Sequence, residues 1–194
     1  MSKADQKAKV KNVHGRLREL STKPPQFDQV RMAERAESAR LLLHDAARLP
    51  ERRKEKSDDH ETWRKCIDLF NRCLSEAYPA GFWEDFELLR KGDDRGLETA
   101  IRFLEADPWF FRSGYLKADL IRFICRCPLT PAQAERLRDV VLNAIELRDR
   151  REFRQFANLG KVVESQEFKE EVAKRLMHED EGVRRRARWV LDLL

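Results

Sequence analysis

The string from Asp107 to Tyr115 holds the densest group of potential binding side chains in this chain. Trp109, Arg112 and Tyr115 belong to the residue types in which interface binding energy is concentrated. Trp109 begins a run of three aromatic residues, which cannot all point to one side of a helix. At least one ring is therefore expected to reach solvent, a partner or a neighbouring repeat. The alternative is that the rings seal a junction between N-terminal and C-terminal helices.

A second candidate site is a set of closely spaced arginines in the last quarter of the chain. Guanidinium groups recognise phosphate and carboxylate groups through paired hydrogen bonds. The candidate binding residues in this set are Arg151, Arg154, Arg184, Arg185 and Arg188. In one interpretation Arg154 and Arg184 bond an Asp or a backbone carbonyl of a neighbouring turn, as a ladder. In the other, the set joins Arg148, Arg150 and Arg186 in a basic groove.

The sequence shows none of the spacings that typify common catalytic or metal sites. It has no Gly-rich phosphate loop, no nucleophile elbow and no paired-His zinc motif. Cys125 and Cys127 are separated by a single residue, which is the wrong spacing for a zinc knuckle. Cys66 and Cys73 share a helical stripe with Phe70 and are predicted to be small core residues. The sequence thus predicts that the protein is not an enzyme and uses no metal or cofactor.

Charge is unevenly distributed along a chain that is long enough to bury a sizeable core. Residues 1–60 hold 15 Lys and Arg against 10 Asp and Glu, whereas residues 61–194 hold 25 of each. The net charge of +5 therefore arises in the first third. Together with the polar run at 51–59, this predicts a basic helical extension over 1–57 and a separate body over 58–194. The extension either contacts DNA or RNA through phosphates or is simply a solvated helix.

Composition also bears on location. No stretch of eighteen apolar residues occurs, which predicts no membrane span and no membrane partner. The N-terminal residues lack the apolar core of a signal peptide, and four cysteines are too few for a disulfide framework. These features predict a cytoplasmic protein.

Helical spacing of apolar residues runs through nearly every segment, as in the stripe from Trp63 to Ala77. No segment alternates with the period of a strand, so the predicted fold is all-α. Helix starts are predicted at N-caps; these are Asp28, Thr130 (with Gln133 in a capping box), Ser165 and Asp180. Gly92 and Gly160 are predicted to end helices, and Asp107-Pro108 to begin one.

The segment from Leu176 to Leu194 resembles the HEAT-like repeat of bacterial proteins. The matching residues are Asp180, Val183, Arg184, Ala187 and Leu191. Thirty residues earlier, Phe153, Arg154 and Ala157 stand in the same register, and a weaker match includes Asp107, Pro108, Phe111, Arg112 and Tyr115. The resemblance covers about residues 94–194. It implies an α-α superhelix of stacked antiparallel helix pairs.

The HEAT-like family is a class of scaffolds and implies binding, with no single reaction. The resemblance therefore favours a non-enzymatic macromolecular binding module, above all a protein–protein scaffold or adaptor. Nucleic-acid binding through a basic surface is the alternative. Some HEAT-like proteins are glycosylases that release alkylated bases from DNA, using Trp, Asp and Arg. The residues of matching type are Asp107, Trp109, Arg112 and Trp189.

Overall fold

The computed structural model describes residues 9–10, 12–13, 15–17, 20, 29–147 and 149–194. Within these ranges the chain is largely helical and has no strand, so the predicted all-α class is confirmed. Among the described residues, the α-helices with defined ends are α1 (Gln29–Ala46), α2 (Asp58–Glu76), α3 (Phe82–Arg90), α4 (Leu97–Ala106), α5 (Ser113–Ile124), α6 (Pro131–Glu146), α7 (Phe153–Val162), α8 (Gln166–Lys174) and α9 (Glu181–Leu191). Short 3-10 turns at Asp94–Gly96 and Arg175–Met177 precede α4 and follow α8. The described residues between 9 and 20 are helical as well.

Side-chain caps fix where several helices begin. The Thr130 hydroxyl accepts a hydrogen bond from the Gln133 amide at 3.3 Å, and the Gln133 side chain accepts one from the Thr130 amide at 3.0 Å. The predicted capping box is therefore confirmed. Ser165 and Asp180 each accept a bond from the amide three residues later, as predicted. Asp28, the remaining predicted cap, lies outside the described residues.

Gly92 ends α3 in the predicted left-handed conformation, with φ of 85°. Its amide donates to the Leu89 carbonyl while the next amide donates to Leu88, which satisfies two carbonyls at the helix end. The prediction for Gly160 was wrong, because α7 continues through it to Val162. A Cβ on Gly160 would lie 3.4 Å from side-chain atoms of Phe168 and Val190. This glycine therefore allows close packing with α8 and α9.

Asp107-Pro108 does not begin a helix, so that prediction was also wrong. The next helix, α5, starts at Ser113, and Asp107 itself has a left-handed φ of 43°. Its carboxylate instead accepts hydrogen bonds from Lys117 and Arg150, which lie later in the chain.

Contacts divide the chain into two compact units, one of residues 1–80 with 108–111 and one of residues 81–107 with 112–194. In the first unit α1 packs along α2. Arg35 of α1 connects the helical N-terminal residues to α2, because it donates to the Leu20 carbonyl and to Glu76, both at 2.8 Å. Residue 57, the predicted domain boundary, lies inside this unit.

In the second unit six helices form two rows. Helices α4, α6 and α8 contact one another in succession and form the first row, while α5, α7 and α9 do the same and form the second row. Each first-row helix also packs on the second-row helix that follows it in the chain. The buried positions of both rows include Leu104, Ile124, Val141 and Phe156. Phe82 of α3 extends this core by packing on Phe103, with ring centroids 4.9 Å apart.

Gly96 offers a test of the packing before α4. A Cβ built on it would lie 2.1 Å from the Asp85 carbonyl oxygen and 3.1 Å from the Leu89 amide nitrogen. Since these are backbone atoms of α3, they cannot rotate away. We expect Gly96→Ala to lower the free energy of unfolding by about 1–3 kcal/mol or more, as overpacking does. Urea unfolding measures the loss.

Gly15→Ala is the matched control, because a Cβ there meets nothing within 4 Å. This control variant should be no less stable than the wild type. Equal stability of Gly96→Ala and the wild type would contradict the described approach of α3.

Candidate functional site

A buried ionic cluster lies in the second unit, around the turn between α4 and α5. The Asp107 carboxylate accepts a hydrogen bond from Lys117 Nζ at 2.6 Å. It also accepts two from the Arg150 guanidinium, at 2.6 and 2.5 Å. The side chain of Lys117 is fully buried, and that of Arg150 is 6% exposed. Asp107 thereby joins the α4–α5 pair to the turn before α7.

Burial and charge act in opposite directions in this cluster. Burial alone would raise the pKa of Asp107, but the bonds from Arg150 and the charge of Lys117 outweigh it and hold the pKa below its ordinary value. Burial lowers the pKa of Lys117, and the Asp107 carboxylate opposes that shift. The cluster is therefore an ion network in which Asp107 pairs with both Lys117 and Arg150.

Glu152 contributes a second carboxylate to the cluster. It is buried in the turn before α7, and a Cβ on Gly114 would lie 2.8 Å from its Oε2. The carboxylate thus abuts the first turn of α5, where the helix dipole favours a negative charge. It also interacts electrostatically with Lys117 and Arg150. Two acids and two bases leave the cluster with no net formal charge.

A cavity of about 230 Å³ opens beside the cluster, with Asp107 and Arg150 in its lining. The rest of the wall is largely apolar and includes Leu104, Val140 and Phe156. Ligand pockets typically measure about 300–1,000 Å³. Because the cavity is smaller and its charged groups bond one another, the cluster fits a structural role.

A similar bonding pattern recurs one helix pair later. Asp149 lies in the turn before α7 and accepts a bond from Arg186 of α9 at 2.6 Å. It also accepts one from Arg185, while Arg186 donates to the Ile145 carbonyl at 2.7 Å. Turn carboxylates of successive helix pairs therefore bind arginines that follow in the chain. This is a ladder of the kind considered for Arg154 and Arg184, but Arg150 and Arg186 carry it.

Arg150 and Arg186, which the groove interpretation included, are consequently not available to bind a partner. The side chains of Arg150 and Arg186 are each 6% exposed and bonded within the ladder. Arg184 is also engaged, since it donates to the carbonyls of His178 and Glu179, both at 2.7 Å. The groove interpretation is wrong for Arg150 and Arg186.

Charge is segregated between the two rows of helices. The acidic residues of the first row are Glu98, Glu105, Glu135, Asp139, Glu146, Glu167, Glu170 and Glu171, and its basic residues are Arg102, Arg136, Arg138, Lys169 and Lys174. The acidic residues of the second row are only Asp119 and Glu181, and its basic residues are Lys117, Arg122, Arg154, Lys161, Arg184, Arg185, Arg186 and Arg188. The first row is therefore net negative, and the second row is net positive.

The two rows also differ in how their cations are neutralised. First-row cations bond nearby acceptors: Arg102 with Glu98, Arg136 with Glu98 and Glu105, Lys169 with Glu164, Lys174 with Glu171, and Arg138 with the Val163 carbonyl. In contrast, Arg151, Arg154, Lys161 and Arg188 are exposed and pair with no carboxylate in the described part of the chain. Arg154 and Lys161 are seven residues apart, which places them on one side of α7, and Arg151 lies in the turn before that helix.

We define the cationic face as the exposed basic residues of the second row and its adjoining turns. They are Arg122, Arg126, Arg151, Arg154, Lys161, Arg185 and Arg188. Of the predicted binding residues, Arg151, Arg154, Arg185 and Arg188 are thus brought together on two neighbouring helices, α7 and α9, and the turn before α7. Lys161 was missed by sequence reasoning, although its seven-residue spacing from Arg154 was the available signal.

The predicted residues around position 112 are divided between the two units. Trp109 and Phe111 belong to the first unit and are 47% and 39% exposed, so two rings of the aromatic run reach the surface. The next two rings of the run pack edge-on within that unit, Phe110 against Tyr78 and Phe111 against Phe70. Arg112 and Tyr115 belong to the second unit, and Tyr115 is 68% exposed on α5.

An aromatic strip that the sequence reasoning did not identify lies across α3 and α5. We define it as Trp83, Phe86, Phe123 and Arg126. The rings of Trp83 and Phe86 have centroids 5.7 Å apart, and those of Phe86 and Phe123 are 5.6 Å apart. The Arg126 guanidinium lies 5.9 Å from the Phe123 centroid. Trp83 is 49% exposed, so the strip reaches solvent at its α3 end.

The cysteines are placed as predicted for core residues. Cys66 and Cys73 of α2 are buried, and burial raises the pKa of Cys66 to about 11. Such a thiol is poorly suited to act as a nucleophile. Within the described ranges, no three His, Cys, Asp or Glu side chains are grouped to hold a metal ion.

No helix among the described residues is both long enough and apolar enough to cross a membrane.

Comparison with known proteins gives no match to a protein-family model, a curated protein or a solved structure. The functional assignment therefore depends on the contacts, burial and charge of the molecule itself.

Proposed function

We propose that this protein is a non-enzymatic binding module built on a HEAT-like stack of helix pairs. The contacts within and between the two rows of the second unit support a stacked arrangement. The ladder of Asp107 with Arg150 and of Asp149 with Arg186 supports it further, because it ties successive pairs together. A stack of this kind presents a continuous face for a macromolecule and needs no reactive group.

The partner favoured by the structure is a nucleic acid bound through the cationic face. The observation that carries this proposal is the segregation of charge, with a net positive second row beside a net negative first row. Arg154 and Lys161 are exposed on α7, Arg151 is exposed in the turn before it, and none of the three pairs with a carboxylate in the described part of the chain. Such a row of cations suits a polymer with regularly spaced phosphates and draws it in at long range.

A protein scaffold or adaptor is the second candidate function. The exposed fractions of Trp109 and Tyr115 favour it, since large exposed aromatic residues often serve as interface anchors. The glycosylase alternative has less support, because the Asp107 carboxylate is already bound by Lys117 and Arg150. We therefore propose binding without base removal.

Charge reversal on α7 tests the nucleic-acid proposal. We expect Arg154→Glu with Lys161→Glu to weaken binding of a labelled oligonucleotide by roughly 10- to 100-fold near 0.1 M salt. Each lost phosphate contact removes about one power of salt dependence, so two losses are readily measured by fluorescence anisotropy.

The matched control is Arg102→Glu with Lys174→Glu, which makes the same change in net charge on the first row. Both control positions are exposed. The control variant should bind nearly as well as the wild type. Equal weakening by both double variants would mean that only net charge matters and that the cationic face is not the binding surface.

A further inference from the structure

The aromatic strip lies on the second unit beside residues of the cationic face. Phe123 and Arg122 are consecutive residues near the end of α5, and Arg126 belongs to both surfaces. The packing of α3 on α5 brings Trp83 and Phe86 into line with Phe123. The partly exposed rings thereby end beside Arg122 and Arg126 at the α5 end of the strip.

The rings of the strip are held in place from below. Phe82, the residue before Trp83, is buried, and its ring meets the Trp83 ring at 90° with centroids 5.3 Å apart. Phe82 in turn packs on Phe103 of α4. Because the strip is anchored in the core in this way, its rings are preorganised and little conformational freedom is lost when a flat ligand binds.

We propose that the aromatic strip stacks unpaired bases, so that the preferred partner is single-stranded nucleic acid whose backbone crosses the cationic face. This inference depends on the nucleic-acid function proposed above. Aromatic platforms beside a positively charged track are the general chemistry of single-strand binding. A base pair inside a duplex has its faces covered by neighbouring pairs and cannot use the strip.

A protein segment is the competing occupant of the strip, with an apolar side chain in place of a base. The α5 end of the strip favours the nucleic acid, since Arg126 lies over Phe123 and Arg122 is the preceding residue, whereas exposed Glu84 and Arg90-paired Glu87 lie beside the rings of α3. Arg122 pairs with Asp119, but Arg126 has no paired carboxylate in the described part of the chain. Bases joined by phosphates match rings flanked by arginine better than an apolar peptide does.

The test compares the full chain with its Trp83→Ala variant on two probes, a labelled oligo(dT) strand and a labelled mixed-sequence duplex of equal length. We expect Trp83→Ala to weaken binding of the single strand by roughly 5- to 150-fold, which is the loss of about 1–3 kcal/mol per stacked base at 1.4 kcal/mol per tenfold. Duplex binding should change by less than about 2-fold. Trp83→Phe, which keeps a ring, should restore most of the single-strand affinity.

Leu41→Ala is the matched control, because Leu41 has a similar exposed fraction of 45% but lies on α1, outside the strip. It should leave both affinities unchanged. The stacking proposal is overturned if Trp83→Ala and Trp83→Phe leave single-strand binding unchanged, or weaken both probes equally. Wild-type protein that binds neither probe would instead overturn the nucleic-acid function itself.

Discussion

Replacement of Asp107 by Asn is expected to lower the free energy of unfolding by about 3–5 kcal/mol. The carboxylate is the direct hydrogen-bonding partner of both Lys117 and Arg150, whose side chains are almost completely buried. Asn cannot offer a negative charge, so two cations would remain in a poorly solvated site with the single carboxylate of Glu152. Removing one member of a buried ion pair typically costs about this much, because the remaining charge is uncompensated. Urea unfolding monitored by circular dichroism measures the loss.

The acid sensitivity of stability provides a second readout of the same variant. The pKa of Asp107 in the folded protein is lowered, so its contribution to stability is present above its ordinary pKa. That contribution is lost as pH falls through the lower folded value. Between neutral pH and about pH 2, the wild type should therefore lose more stability than Asp107→Asn.

Asp119→Asn is the control for the buried cluster. Asp119 also pairs with an arginine, Arg122, but the pair is exposed on α5. Exposed pairs contribute little, so this substitution should leave stability nearly unchanged. A structural role for the buried cluster would be contradicted if Asp107→Asn were as stable as Asp119→Asn and kept the acid sensitivity of the wild type.

Local features of the fold were predictable from sequence because their causes lie within a few residues. Thr130 and Gln133 cap α6 by bonding each other, and Ser165 bonds an amide three residues away. Gly92 ends α3 since its positive φ is accessible to glycine at little cost. The apolar spacing of α2 likewise identified Cys66 and Cys73 as core residues.

Features that depend on distant partners were not predictable in the same way. Asp107 looked like a helix cap, but its partners Lys117 and Arg150 lie 10 and 43 residues away. Gly160 looked like a helix end because glycine often ends helices. Its actual role depends on how closely α8 and α9 approach it, which the local sequence does not show. A single sequence indicates the local conformational preference of each residue. It does not show the tertiary contact that overrides this preference.

The candidate site shows the same division. The arginines proposed to bind were separable from those that brace the fold only after burial was known, since Arg185 and Arg186 are adjacent but differ in exposure. Four of the predicted residues lie on neighbouring parts of the second unit: Arg154 on α7, Arg185 and Arg188 on α9, and Arg151 in the turn before α7. The strip around Trp83 required the packing of α3 on α5, which no local pattern encodes.

Oligonucleotide binding is expected to weaken steeply as the salt concentration rises. If about six phosphates contact the cationic face, raising salt from about 50 to about 200 mM should weaken binding roughly 300-fold for a single strand and roughly 10³-fold for a duplex. The physical reason is the release of counterions from the phosphates when arginine and lysine side chains replace them. An interface led by aromatic contacts with a protein would depend far less on salt.

One measurement tests the nucleic-acid proposal most directly: the slope of log affinity against log salt for oligo(dT), in the wild type and in Arg154→Ala. Arg154 is exposed on α7 and pairs with no carboxylate among the described residues. The wild type should give a steep negative slope of about −4, and Arg154→Ala should reduce its magnitude by about 0.7, the contribution of one phosphate of a single strand. A slope near zero in the wild type, or an identical slope in both proteins, would contradict nucleic-acid binding through the cationic face.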